Sequence, residues 1–240
     1  MNILVTGVSK GLGLTVAKTL IDKGCVVYGI SRSQTPELES LLASAGGQLH
    51  WLPFDLQELT DLRNRVFREW IGKSTVVHGL VNNAALAYDD IVTNLQLPPL
   101  EAMYKVNVFA PMMLTKLAIR QMLLHQVAGS IVHVSSISVH TGYKGLSMYA
   151  STKGALEAFS KNTAREWGEK GIRSNAIVAG FMETEMSAGL SEEQRNRIYQ
   201  RTSLKKAVSV ESVADTIYYL LSEASSSITG QRIHVDNGTI

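Results

Sequence analysis

A single cysteine among 240 residues, Cys25, excludes an internal disulfide and fits a reducing compartment. It stands in the apolar run 25–30, where a buried structural thiol is expected rather than a reactive one. Charge of one sign is also scarce. Lys and Arg number 23 against 21 Asp and Glu, so the formal charge of +2 gives no electrostatic footprint for nucleic acid or an anionic membrane. No stretch reaches the roughly 18 uninterrupted apolar residues of a membrane helix. A strand pattern from Asn2 onward leaves no room for a cleavable leader, and a cytoplasmic protein is expected. The six histidines show no His-Glu-x-x-His pairing, so no metal is expected. A Ser-His hydrolase is not expected either, for want of a nucleophile elbow. Repeats, low-complexity tracts and linkers are all missing, which leaves one domain over 1–240.

What is present is alternation. Short β-branched runs at 3–6, 26–30, 49–54, 76–81, 130–135, 173–178 and 231–235 are separated by helical patterns. Each run is apolar throughout, as strands covered on both faces are. An α/β fold follows: a Rossmann-like, doubly wound, parallel seven-stranded sheet whose ligand lies beyond the carboxyl ends of the strands. The clearest helix is 58–71, where Leu59, Leu62, Val66, Phe67 and Trp70 share one stripe that reads as core packing. Residues 100–124 read as a second helix. The polar stretch at about 179–209 reads as a lid.

The first strand runs into Thr6-Gly-Val-Ser-Lys-Gly-Leu-Gly13 and then a helix. Gly7, Gly11 and Gly13 permit a tight turn and close approach to a pyrophosphate, with Ser9, Lys10 and Leu12 between them. The helix start adds free N–H groups and a positive dipole end. Strand, loop and helix in that order point to a dinucleotide. Where such sites usually carry an acid for the adenosine ribose, this chain has Ser31-Arg32-Ser33 and no carboxylate before Glu37. Arg32, with Lys10, suits the extra phosphate of NADP(H) over NAD(H). The alternative is that both are solvated surface cations. Asp55 and Leu56 after the third strand, and Asn82, Asn83 and Ala84 after the fourth, are placed to meet the adenine end, or else serve as turn and cap residues.

Tyr149-Ala-Ser-Thr-Lys153 is the one Tyr-x-x-x-Lys in the chain, and on a helix the two side chains share a face. A phenol titrates near 10, and a neighbouring ammonium, together with the positive nicotinamide of an oxidised cofactor, is expected to lower that value and fit Tyr149 for proton exchange with a substrate oxygen. Thirteen residues earlier the fifth strand ends in Ser135-Ser136. Ser136 is the expected holder of the substrate oxygen; Ser135 is its rival, since one residue of shift reverses the face. Pro111 cannot bond the carbonyl of Asn107, four residues back, so a kink is expected that frees this carbonyl for a water leading to Lys153.

Together these residues resemble the short-chain dehydrogenase/reductase family over essentially the whole chain. The resemblance implies a catalytic set of Asn107, Ser136, Tyr149 and Lys153, with Lys153 also on the nicotinamide ribose. The chain is most similar to bacterial β-ketoacyl-ACP reductases, on the segments 175–186 and 228–236. That implies contacts of Ile177, Gly180 and Thr184 with the nicotinamide, and a substrate pocket of His140, Tyr143, Met182 and Met186. It also implies reduction of a ketone or acyl thioester, an acyl carrier protein as partner, and a homodimer or homotetramer. Departures are Ala179 for a proline, Ala85 and Asn237 for glycines, and no basic residue at Gln126-Val127, although Lys170 fills a second such position. A sugar, polyol or alcohol dehydrogenase uses the same four groups. A non-catalytic dinucleotide sensor is the alternative of another class, one expected to lack the Tyr or the Lys.

Overall fold

The computed structural model describes residues 1–184 and 189–239. Seven strands form one sheet in the order β3-β2-β1-β4-β5-β6-β7, every neighbouring pair parallel. They are β1 (Asn2–Thr6), β2 (Val26–Ser31), β3 (Leu49–Pro53), β4 (Gly79–Asn82), β5 (Gly129–Ser136), β6 (Ile172–Ala179) and β7 (Arg232–Val235). The central strands are buried almost end to end, which is why their sequences are continuous apolar runs. On one face pack α1 (Gly11–Asp22), α2 (Pro36–Ser44) and α8 (Val210–Leu221) around Val5, Val16, Val27 and Ile217. The other face is covered by the helix Leu62–Ile71 and α4 (Ala110–Leu124), around Leu80, Leu114, Ile131 and Val66. Side chains of this kind contribute about 1.5–3 kcal/mol each on full burial.

Chain order explains the site's location. β1, β2 and β3 proceed towards one edge, and β4 returns to the other side of β1, so a crevice opens between the carboxyl ends of β1 and β4.

Several element boundaries depart from the sequence reading. β4 starts at Gly79 rather than Val76 and takes in Asn82, and β3 stops at Pro53. The stripe at 58–71 is helical only from Leu62 to Ile71, and it is wound in π register. The expected single helix 100–124 is three segments: α3 (Leu97–Tyr104), a π-wound turn Lys105–Phe109, and α4. In that turn Ala110 N–H reaches back five residues to the Lys105 carbonyl, just before Pro111. This is the local departure that a proline inside a helix demands. Between β6 and α8 lies α7 (Glu192–Gln200), so the stretch at 179–209 is less irregular than its composition suggests. Cys25 is buried, and burial raises its thiol pKa, as for an unreactive core cysteine.

Candidate active site

A cavity of about 620 Å³ opens over the carboxyl edge of the sheet and is lined by residues from nearly every strand end. Thr6 fastens its floor. Its hydroxyl accepts the N–H groups of Asn83 and Ala84, both at 3.0 Å, and donates to the Val81 carbonyl at 3.3 Å. Asn83 returns the contact, with Nδ2 donating to the Thr6 carbonyl at 2.9 Å. Two glycines make this approach possible. A β-carbon on Gly13 would sit 2.0 Å from the Gly7 carbonyl oxygen, and Gly7 has a left-handed φ of +78°. Helix α1 begins here with no side-chain cap and no acid in its first turn. Among the described residues no side chain caps its first N–H groups, which fits the pyrophosphate of a dinucleotide.

Gly7, Ser9, Lys10, Gly11, Leu12 and Gly13 all line the cavity, as do Ser31, Arg32, Asp55, Leu56, Asn83 and Ala84. The Ser31 hydroxyl is already used, accepting from Trp51 Nε1 at 2.9 Å and donating to the Ser33 carbonyl at 3.0 Å. Arg32 is exposed at the rim. Asn82 corrects the sequence reading. As the last residue of β4 rather than the first of a loop, it points into the protein, where Nδ2 lies 3.2 Å from His133 Nδ1 and 3.4 Å from Thr115 Oγ1.

The chemical end is built on α6 (Ser147–Trp167), which carries Tyr149 and Lys153 one turn apart. Lys153 is 2% exposed; Nζ donates to the Val134 carbonyl at 2.8 Å and lies 5.6 Å from the centre of the Tyr149 ring. Ser136 lines the same cavity from the end of β5. Its oxygen accepts from the N–H of Ser138 at 3.2 Å and the Ser138 hydroxyl at 3.0 Å, which leaves its own hydrogen to donate. Ser135, the rival, also lines the cavity, but its hydroxyl is engaged by Glu157 at 2.5 Å. Asn107 acts from behind the cavity. Its amide accepts from Leu86 N–H at 2.7 Å and donates to the Leu86 carbonyl at 2.8 Å and to Thr152 Oγ1 at 3.0 Å. It thus braces the loop after β4 against α6.

The electrostatics of the chain without its cofactor run opposite to the direction expected with it. Burial, and secondarily the charge of Asp89, push the Tyr149 phenol up to about 12. In the free protein these effects outweigh the ammonium beside it. Burial also lowers Lys153 to about 8. Fully buried His133 falls to about 3, through burial and the nearby Lys153 charge.

Two further residues do not take their expected places. Ile177 points from β6 into the core rather than the cavity. His140, on α5 (Ser138–Thr141), turns away and puts Nε2 3.0 Å from Glu157. Met186 lies outside the described residues. Tyr143, Gly180, Met182 and Thr184 do line the cavity. The absence of a nucleophile elbow also needs correcting, since Gly7-Val8-Ser9-Lys10-Gly11 spells Gly-x-Ser-x-Gly. No histidine lines the cavity among the described residues, so Ser9 has no imidazole there to complete a Ser-His pair. Sequence reasoning missed Asp89, Thr152 and Glu157. Glu157 was findable, because it stands four residues beyond Lys153 on the same helical face.

A parallel sheet with a glycine cradle at its switch point, and a tyrosine over a buried lysine at the same cavity, defines a dinucleotide-dependent oxidoreductase. The chain belongs to the short-chain dehydrogenase/reductase family. The family model described as Enoyl-(Acyl carrier protein) reductase matches residues 7–239. 3-Oxoacyl-(acyl-carrier-protein) reductase FabG of Aquifex aeolicus is 32% identical over 238 residues, 98% of this chain and 95% of the relative. Nodulation protein G of Rhizobium meliloti is 30% identical over 238 residues, with the same 98% and 95% covered. Among solved structures, a protein described as an NAD(P)-dependent gluconate 5-dehydrogenase from Beutenbergia cavernae, with NADP bound, superposes with a TM-score of 0.93. It is 26% identical, and the match covers 99% of this chain and 96% of the other.

Proposed function

We propose that this protein reduces a ketone to a secondary alcohol with NADPH, and that the ketone is a 3-oxoacyl thioester. The observation that carries the reading is the convergence of Tyr149, Ser136 and the glycine cradle on one cavity, with the Lys153 ammonium buried beneath the tyrosine ring. The nicotinamide cofactor, when bound, supplies the hydride. Ser136 donates its free hydrogen to the carbonyl oxygen and fixes its position. Tyr149, neutral across the ordinary pH range, gives its proton to that oxygen as the carbon is reduced. Lys153 spends one N–H on Val134 and keeps two, and its charge stabilises the phenolate left behind. The Asn107 carbonyl, which Pro111 cannot bond in α register, holds the water that returns a proton by way of Lys153. The stretch at 179–209, through Met182, Thr184, Leu190 and Ile198, acts as the cover of the cavity.

If the Lys153 charge is required, pH dependence follows. Protonated below about 8 and neutral above, Lys153 sets a plateau in kcat/KM for reduction that falls about tenfold per pH unit above that value. A pH profile with its first descending limb beyond pH 10 would remove the lysine charge from the mechanism. Arg32 carries the preference for the cofactor's extra phosphate. Arg32→Ala is expected to raise KM for NADPH about tenfold or more and to leave KM for NADH nearly unchanged. Equal rises for both cofactors, in initial-rate measurements, would assign Arg32 no discrimination.

One observation favours a second reading, a sugar or polyol dehydrogenase. The Asp89 carboxylate lines the cavity with no hydrogen-bond or ion-pair partner among the described residues, and partial burial raises its pKa. Such a group suits substrate hydroxyls. Leu86, Ala87, Leu190 and Ile198 supply the apolar wall that an acyl chain needs. Loss of NADPH absorbance with acetoacetyl thioesters, free and carrier-linked, supports the first reading; turnover of keto sugars alone would replace it with the second. The carrier protein would meet exposed Lys170. Exposed Phe109, Leu123 and Leu124 give the face on which two or four copies would pair.

A further inference from the structure

Tyr149, Lys153 and Glu157 recur every four residues along one face of α6. The Glu157 side chain is only 6% exposed, and a carboxylate so far out of water must be held by donors. Three other elements supply them. Ser135 of β5 donates its hydroxyl to Oε1 at 2.5 Å, and His140 of α5 places Nε2 3.0 Å from the same oxygen. Arg232 of β7 brings Nη1 to 3.6 Å from Oε2. Glu157 itself does not line the cavity.

The first two contacts bracket Ser136. Its oxygen is bonded within the turn to Ser138, and the turn is gripped just before, at Ser135, and just after, at His140. Both serines line the cavity, but strand side chains alternate in direction, so holding the Ser135 hydroxyl on Glu157 of α6 obliges the Ser136 hydroxyl to face the other way. Lys153 grips the preceding residue, Val134, from the same helix. We propose that Glu157 is a positioning residue for Ser136. It fixes the β5–α5 turn onto the helix that carries Tyr149, and so sets the separation of the hydroxyl that orients the carbonyl oxygen from the one that protonates it. This rests on the reaction assigned above.

A residue that merely holds the fold together would not act through Ser136, and a double-mutant cycle separates the two roles. Glu157→Gln keeps the volume and one acceptor oxygen; Ser135→Ala removes one donor and stands in should the first variant fail to fold. Either is expected to lower kcat about tenfold or more through misplacement of Ser136. NADPH affinity, by fluorescence titration, stays within about twofold of the parent. In a Ser136→Ala background the same changes cost less than about twofold, because the group they position is gone. Additive losses in the double variants, or a matching loss of NADPH affinity, would overturn the inference alone. A parent protein that reduces no ketone with NADPH would overturn the reaction assignment and the inference with it.

Discussion

Tyr149→Phe is expected to lower kcat for ketone reduction about a thousandfold while leaving NADPH affinity and thermal stability near their parent values. The magnitude is that of removing a positioned general acid, about 4 kcal/mol of barrier. The selectivity comes from the local structure. The phenol makes no hydrogen bond to another described residue, so phenylalanine removes the proton source and little else. Desolvation of the half-buried residue also raises the phenol pKa to about 12, and an apolar ring meets no such opposition from the surroundings. Stopped-flow single turnovers with bound NADPH would report the chemical step directly. A rate within tenfold of the parent protein would mean that another group delivers the proton.

Gly13→Ala acts on the other half of the site. The added β-carbon would lie 2.0 Å from the Gly7 carbonyl oxygen and 2.5 Å from Asn83 Nδ2. The first of these is backbone, so no rotamer change relieves the clash, and either β1's exit or the start of α1 must move. Movement there separates Thr6 from the Asn83 and Ala84 amides that it bridges. NADPH binding is expected to weaken about 100-fold or more, with a fall in melting temperature from overpacking of about 1–3 kcal/mol. Gly11→Ala is the informative contrast. Among the described residues its β-carbon would meet only Thr184, at 3.7 Å, and the cost there comes from a φ of +54°. Titration of both variants by cofactor fluorescence checks the ordering. Binding by Gly13→Ala within threefold of the parent would show that the cradle is not closed as described.

The sheet was legible because parallel strands buried on both faces leave continuous apolar runs, and all seven were found in their chain order. The glycine loop and the Tyr-Lys pair were legible because their chemistry fixes their spacing. What failed was direction. Asn82 looked like a loop residue until β4 proved to end on it, and a strand's last side chain can point inward. Ile177 and His140 have the chemistry of pocket residues, but the alternation of β6 and the turn of α5 aim them elsewhere. The raised pKa of Tyr149 in the cofactor-free chain was not legible for a different reason. Sequence displays the lysine four residues away, but neither the depth of burial nor Asp89, which a separate loop brings up. Asn237 shows the reverse case. In place of the family's glycine it adopts a φ of +58°, which asparagine tolerates, and its amide donates to the Lys206 and Ala207 carbonyls.

The strand order has a consequence for how such a chain can change. Arg32 hangs from the tip of β2, whereas the cradle belongs to β1 and β4 and the proposed proton donor to a helix behind β5. On the proposed assignments, choice of coenzyme, grip on its diphosphate and acid chemistry are mounted on separate supports. Exchanging the arginine for an acid can retune one without disturbing the alignment of the others.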